Sequence, residues 1–413
     1  MDPQTSFIRR LATWVRSQGR EGVRRKVVNF LGTFLALVPV LLARLLRPFI
    51  LIRFGVINSN RIGHFILDAE IYLCERELVN QKLSAIDIFG FSESVSNTQL
   101  KIMCQRVLLT SKLGFHLDRV NRLIPGGKKN EIQDLSVPFH FTRDLNGLLR
   151  RSEPHLPFTD EEEWRGRLAL ENIGISKEDK FICFNARDSA YLKAVYPLWD
   201  WSYHDYRNSN INQFLKAADQ MTKRGTFAVR MGSIVKEKIK THNPMIIDYA
   251  TRFRTDFLDI YLSSKCHFFL TTGTGLDSVA MVFRRPIVYV NFLPLESIPS
   301  WSADYLAIPK KLWLTREKRY MKFREILDSG VGRFQTTQDY RSFGLEVVEN
   351  SPEEILDVVL EMDERLKGTW KDTKEEEELQ KKFWSLFKSS PLHGAFLARI
   401  GAKFLSQNRE LLD

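Results

Sequence analysis

The sequence predicts an α/β protein whose second half is a doubly wound parallel sheet, with a basic, apolar extension ahead of two globular domains. Three observations carry this. From residue 181 onward, short apolar runs alternate with helical stretches at βαβ spacing, which forces parallel strands. A chain of 413 residues exceeds the ~100 to 200 residues usual for one domain. The charge is uneven: residues 1–53 hold ten basic residues against Asp2 and Glu21, so eight of the eleven net positive charges lie there. A nucleic-acid enzyme carries its charge on folded domains, so nucleic acid is not an expected partner.

Composition narrows the class further. Hydrophobic residues make up 44% and charged residues 27%, which excludes disorder and low-complexity scaffolds. The four cysteines (74, 104, 183, 266) form no Cys-x-x-Cys pair, which supports a reducing compartment and neither a disulfide framework nor a thiol zinc site.

The extension comes first. Val27 to Ala43 is a seventeen-residue run without charge, preceded by Arg24, Arg25 and Lys26 and followed by Arg44 and Arg47. A span needs ~20 apolar residues with a lower limit near ~17. Upstream, Phe7, Ile8, Leu11, Trp14 and Val15 recur at helical spacing between arginines, as in a basic helix lying on anionic lipid. Residues 1–47 are therefore expected to associate with a cytoplasmic membrane surface as a monotopic element. A span and a buried helix of the first domain are the alternatives.

The elements then follow in order. Residues 48–57 look like a buried strand, NSNRIGH a glycine-bearing loop, and FILDAEIYLCEREL a helix; residues 85–91 are a second strand and 102–109 a helix. RRSEPHLPFTDEEEWRGR has the look of an interdomain linker leading into a short helix. The expected strands of the second half are 181–187, 226–232, 245–250, 266–272 and 286–291. Between them fall a helix stopped by Gly225, a helix at 255–265 capped by Thr255, and one opening after the glycine loop. SPEEILDVVLEMDERL reads as a helix with Ser351 at its N-cap and Pro352 at N1. The domain expectation is 48–165 and 166–370, with C-terminal helices at 371–413.

The strongest local motif is LTTGTGLDSVA. A strand ends at Thr272, Gly273 and Gly275 flank Thr274, and a helix starts near Leu276. Free N–H groups in such a turn suit a diphosphate, and the carboxyl end of a parallel strand is where open α/β sheets bind ligands. An ordinary βα turn is the plain alternative. There is no Walker A loop, no Gly-x-Gly-x-x-Gly and no Gly-x-Ser-x-Gly, and the eight histidines lack metal-binding spacing. Arg187 in FNARDSAY and Arg230 in AVRMGS, the latter followed by Gly232, stand at the ends of neighbouring strands. There they would chelate phosphate oxygens and stand in for a metal; each alone also fits a salt bridge. Asp188 could orient Arg187, bind sugar hydroxyls or cap the loop. Arg207 and Ser209, in YHDYRNSN, could contact a donor, or Ser209 and Asn210 could cap a helix. His64, in the loop after the first strand with Asp68 a turn later, titrates near neutrality and could take a proton from an acceptor hydroxyl, or be a cap histidine.

FNARDSAYL, YRNSNINQFLKAADQM, AVRMGS, IIDYA, TDFLDIYLSSKCHFFLTTGTGL and PIVYVN, with the leading RIGHF, resemble in order and spacing a family of bacterial glycosyltransferases from surface-polysaccharide clusters. The resemblance covers roughly residues 50–365. It implies a GT-B fold, two Rossmann-like domains facing across a cleft, with the nucleotide-sugar donor on the C-terminal one. RIGH is similar in place to the Gly-Asp loop of heptosyltransferases that bears their base, with His64 for Asp. NARDSAY is similar to the His-x-Arg-x-x-Asp strand end of fucosyltransferases, with Asn185 for His, so Arg187 transfers and Asp188 does not align.

The expectation is thus a metal-independent, inverting glycosyltransferase at the cytoplasmic face of the inner membrane. It would use no cofactor and act on a lipid-linked or oligosaccharide acceptor. His64 would be the base, Arg187 and Arg230 would hold the leaving diphosphate, and Asp188, Arg207, Gly232 and Thr272 through Leu276 would line the donor site. A nucleotide-sugar epimerase and a non-enzymatic scaffold are the rivals.

Overall fold

The computed structural model describes residues 29–78, 85–132, 143–388 and 392–413. The chain divides into two compact units, one of Met1–Asn60, Asn80–Ser96 and Cys104–Leu135, the other of Arg61–Val79, Asn97–Met103 and Ser136–Asp413. The division does not follow a single cut near residue 165, because the Ile62–Leu78 helix packs on the Asp277–Val282 helix and joins the second unit.

In the first unit, β1 (Leu51–Ile57) and β2 (Ala85–Phe91) pair in parallel, Leu51 opposite Ala85 through Ile57 opposite Phe91. Arg53 and Asp87 face each other in that register and form a two-pronged ion pair at 2.6 Å. Single parallel bridges at Phe54–Glu131 and Phe89–Thr110 extend the sheet. Among the described residues this is a smaller sheet than the doubly wound domain expected here. The Gly114–Leu123 helix lies directly on β2, since a Cβ at Gly90 would stand 2.0 Å from the Phe115 nitrogen.

The apolar run near the N-terminus forms a helix over 29–45. Ala36, Val40 and Ala43 are buried in one cluster with Phe54, Leu117 and Val120, while the remaining sides are exposed. The run is therefore part core and part surface. Among the described residues no helix is long and apolar enough to cross a membrane. The expected basic helix around residues 7–20 lies outside the described residues.

The second unit holds a seven-stranded, wholly parallel sheet. Its strands in chain order are β3 (Lys180–Phe184), β4 (Thr226–Arg230), β5 (Ile246–Ile247), β6 (Phe269–Thr271), β7 (Ile287–Phe292) and β8 (Tyr305–Pro309). A small antiparallel sheet follows, from β9 (Lys311–Leu314), β10 (Arg319–Tyr320) and β11 (Leu345–Val348), and β12 (Arg399–Ile400) returns to the large sheet. The large sheet runs β12-β8-β7-β6-β3-β4-β5. All six residues of β7 are buried, as parallel strands covered on both faces require. The order reverses between β3 and β6: the chain builds outward from β3 through β4 to β5, then crosses back to β6. The loops leaving β3 and β6 at that point stand where open α/β sheets bind ligands.

Local signals hold where a cap or glycine defines them. Gly225 (φ 78°) ends the Leu215–Lys223 helix, the Thr255 hydroxyl accepts from the Leu258 nitrogen at 3.1 Å, and Ser351 and Glu354 form a capping box ahead of Pro352–Leu366. Residues 245–250 differ from expectation, with two strand residues followed by the Tyr249–Arg252 turn of helix. The expected linker is a packed strap inside the second unit. Leu156 is buried, and the Phe158 ring meets Phe257, Tyr261 and Phe283. The C-terminal segment contributes β12 as well as its helices.

Candidate functional site

The site is built where the sheet order reverses. β3 ends at Phe184, so Arg187 lies three residues beyond it in a loop. That loop is tied to the one after β6: Asn185 Nδ2 donates to the Thr274 hydroxyl at 2.8 Å, and the Arg187 backbone N–H to the Thr272 hydroxyl at 2.9 Å. The Ser209 N–H donates to the Arg187 carbonyl at 2.9 Å, and Arg207 Nη2 donates to the Gly273 carbonyl at 2.8 Å. Buried Lys310 holds the same segment from below, donating to the carbonyls of Tyr206 and Asn208 at 3.1 and 2.6 Å. Burial pulls its ammonium down to about 8.

These tethers fix the loops and leave several side-chain atoms unspent. Arg187 Nε, Arg207 Nε, His204 Nδ1, the Ser209 hydroxyl and Asn185 Oδ1 are buried without a hydrogen-bond partner among the described residues. Arg187 is pulled down to about 10, first by burial, then by the charges of Arg207 and Arg61. His204 is held down at about 4 by burial and by Arg187, Arg207 and Arg61. The guanidiniums of Arg207 and Arg61 repel that of Arg187, and together they keep the His204 imidazole neutral, with the Trp201 ring stacked on His204 and the Tyr203 ring tilted against it. Unpaired buried polar atoms cost free energy in isolation, and the donors among them, Arg187 Nε, Arg207 Nε and the Ser209 hydroxyl, would be satisfied together by an oxyanion with several oxygens.

Arg61 and the residues after it belong to this assembly. The RIGH motif does not form a loop as expected; the helix begins at Ile62, placing His64 in its first turn. A Cβ at Gly63 would stand 3.0 Å from the Gly275 Cα, and one at Gly275 would stand 2.8 Å from the Ile62 side chain. The two glycines let the helix start abut the glycine loop, with His64 one residue further along.

Other expected site residues are already engaged. Arg230 is the last residue of β4, level with Phe184 in register. It is 2% exposed, and its Nη1 donates to Asp248 at 3.0 Å. The other Asp248 oxygen accepts from the Ile239 N–H and the Thr251 hydroxyl. Arg230 thus braces the segment around Gly232 and does not share Arg187's loop. Asp188 accepts from the backbone N–H groups of Ala190 and Lys236, which is the loop-capping alternative. Asn210 caps the 211–214 turn by accepting from Asn212.

The glycine loop also spends two of its amides internally. Gly273 N–H donates to the Thr271 hydroxyl and Thr274 N–H to the Asp277 carboxyl at 2.7 Å. The helix behind it, Asp277–Val282, has only six residues. The loop therefore contributes shape and the Gly275 and Leu276 amides, and the arginines contribute the charge. Sequence reasoning passed over Arg61 and His204, whose signal was their place inside two motifs already singled out.

Glu70, Cys74 and His155 also converge, with ligand-type atoms within 4.8 Å of one another. A cation is already supplied: Arg284 Nη2 donates to Glu70 at 2.8 Å, and burial pushes the Cys74 thiol up to about 11. This cluster is an ion-pair network that ties the 152–155 strap to the Ile62–Leu78 helix.

No protein-family model matches the sequence, and no curated protein matches it. Among solved structures, the chain is similar to the E. coli ADP-heptose LPS heptosyltransferase II at 16% identity and TM-score 0.36, over 62% of this chain and 90% of that one. It is also similar to a glycosyl transferase family 9 structure from Veillonella parvula at 13% identity and TM-score 0.41, over 76% and 96% of the two chains. Both of those proteins are glycosyltransferases. At these scores neither likeness says what this chain does.

Proposed function

We propose that the protein transfers a glycosyl group from a nucleotide-sugar donor to a hydroxyl of a lipid-linked or oligosaccharide acceptor of the cell envelope, on a GT-B scaffold, with inversion and without a metal. The observation that carries this is the gathering of Arg61, Arg187 and Arg207 around unpartnered buried donors at the reversal of a parallel sheet. A diphosphate bears two negative charges and several oxygens, which matches that demand. Three guanidiniums would do the charge neutralisation that a divalent ion does elsewhere.

In the reaction, the acceptor oxygen attacks the anomeric carbon while the carbon–oxygen bond to the diphosphate breaks. The bonding pair leaves with the diphosphate, where Arg187, Arg207 and Arg61 stabilise it. The acceptor proton passes to the imidazole of His64. Arg230 and Asp188 act by holding the loops. The setting is peripheral, at the cytoplasmic face of the inner membrane.

The test is thermal stabilisation of the purified protein by UDP, GDP, CMP, ADP and dTDP, with and without EDTA. One nucleoside diphosphate raising the melting temperature, unchanged by EDTA, is the expected result. No shift with any of them would sink the donor-site reading. Turnover of a donor with no acceptor present, returning an isomerised sugar, would replace transfer by epimerisation.

A further inference from the structure

The helix over 29–45 is built inside out. Its face toward the first unit is made of small residues, Gly32, Ala36, Val40 and Ala43. A Cβ at Gly32 would stand 2.5 Å from the His116 ring, so the helix sits as close as a backbone can. Its large apolar residues point the other way: Phe30 is 72% exposed, Phe34 69%, Leu45 73% and, just past the helix, Phe49 84%, with Leu41 and Leu42 about half exposed. A helix serving only the core shows the reverse distribution, and apolar patches this continuous mark a surface that something covers.

What covers it follows from the helix's ends. Arg44 donates to Asn121 and to the carbonyls of Ile124 and Pro125, and Arg47 donates to the Gly126 carbonyl. These bonds staple the C-terminal end to the turn that carries exposed Lys128 and Lys129, beside exposed Leu123. The other end is preceded in sequence by Arg24, Arg25 and Lys26. An apolar face with lysines beside its C-terminal end, on a chain with three more cations shortly ahead of it in sequence, repels a second copy of itself and complements anionic headgroups above acyl chains. Stapled along its length, the helix cannot swing out to span.

We propose that this face is an interfacial membrane anchor. The helix lies in the plane of an anionic bilayer, with Phe30, Phe34, Leu41, Leu45 and Phe49 among the acyl chains and Lys128 and Lys129 at headgroup level. The inference stands apart from the donor-site reading and has its own readout.

The experiment is flotation of the full chain with vesicles of phosphatidylglycerol and phosphatidylcholine, against phosphatidylcholine alone. The wild type is expected to float with the anionic vesicles. The double variant Phe34→Ser, Leu41→Ser should weaken that binding roughly a hundredfold, as loss of two buried large side chains predicts. Replacing Arg24, Arg25 and Lys26 by Gln should weaken it at least about tenfold on anionic vesicles, and least on neutral ones. Nucleotide-induced stabilisation should survive in the Ser double variant, since those side chains contribute to no core. Wild-type protein that stays behind, or binding the Ser variant does not change, overturns the proposal. So does a lipid-free dimer that the Ser variant dissociates, because a second copy then covers the face.

Discussion

Arg187 and Arg230 follow neighbouring strands of one sheet and meet opposite fates. Arg230 ends inside its strand, level with Phe184, where burial demands a partner and Asp248 supplies it. Arg187 lies three residues past its strand, where its neighbours are Arg207 and Arg61 and its Nε has no partner. One arginine is spent on the fold; the other costs the fold something and is available to a ligand. Position relative to the last ladder bond decides which.

The largest effect that could break this contrast is on stability. Removing one member of a buried ion pair leaves the other charge uncompensated, which typically costs ~3 to 5 kcal/mol. Arg230→Ala should therefore lower stability by about that amount in urea unfolding, and the double variant Arg230→Met, Asp248→Asn, which removes both charges and keeps an oxygen for the Ile239 N–H and the Thr251 hydroxyl, should recover much of it. A destabilisation below ~1 kcal/mol would mean that Arg230 is as spare as Arg187.

The next effect is on chemistry. Arg187→Ala relieves repulsion with Arg207 and Arg61, so its melting temperature in the absence of ligand should be unchanged or slightly higher. Turnover should fall ~10²- to 10³-fold, the usual cost of losing one donor to a developing oxyanion. A variant that loses stability and activity together would place Arg187 with Arg230 as a structural residue.

Much of this was legible in the sequence, and the remainder has a physical reason for being hidden. Apolar runs at βαβ spacing mark the strands from β3 to β7, because a parallel strand buried on both faces needs no alternation. Thr255, Ser351 and Gly225 mark helix ends because capping is a local interaction. Which arginine is spare was not legible: Asp248 lies eighteen residues from Arg230, and the register that brings them level is a property of the sheet. The β8 to β12 strands escaped for a similar reason, being fixed by pairing with neighbours rather than by their own pattern, and β5 is shorter than the run that announces it. In the 29–45 helix the apolar run announces a buried or lipid-facing segment. Only the four-residue spacing of Gly32, Ala36 and Val40 hints that its small side faces inward.

A smaller effect extends the comparison from arginines to carboxylates. Asp248 is bonded to Arg230, whereas buried Asp277 accepts from the Thr274 N–H and, weakly, from the Thr271 and Ser278 hydroxyls, with Arg207 as a more distant charge. Burial therefore pushes Asp277 up to about 7. An unfolded aspartate titrates near ~3.9, so between those values the folded protein binds the extra proton and the unfolded chain does not. Stability from this group is fully present below pH ~4, declines as pH rises through the interval, and is gone above about 7. The expected size is a few kcal/mol across the window, against a background set by the other carboxylates. Asp277→Asn keeps an oxygen for the Thr274 N–H and cannot ionise, so it should flatten this component between pH 4 and 7 while leaving stability at pH 4 nearly unchanged. An unaltered pH profile in that variant would mean that Arg207 compensates Asp277 as fully as Arg230 compensates Asp248, and the glycine loop would then share its charge with the arginines instead of only shaping their site.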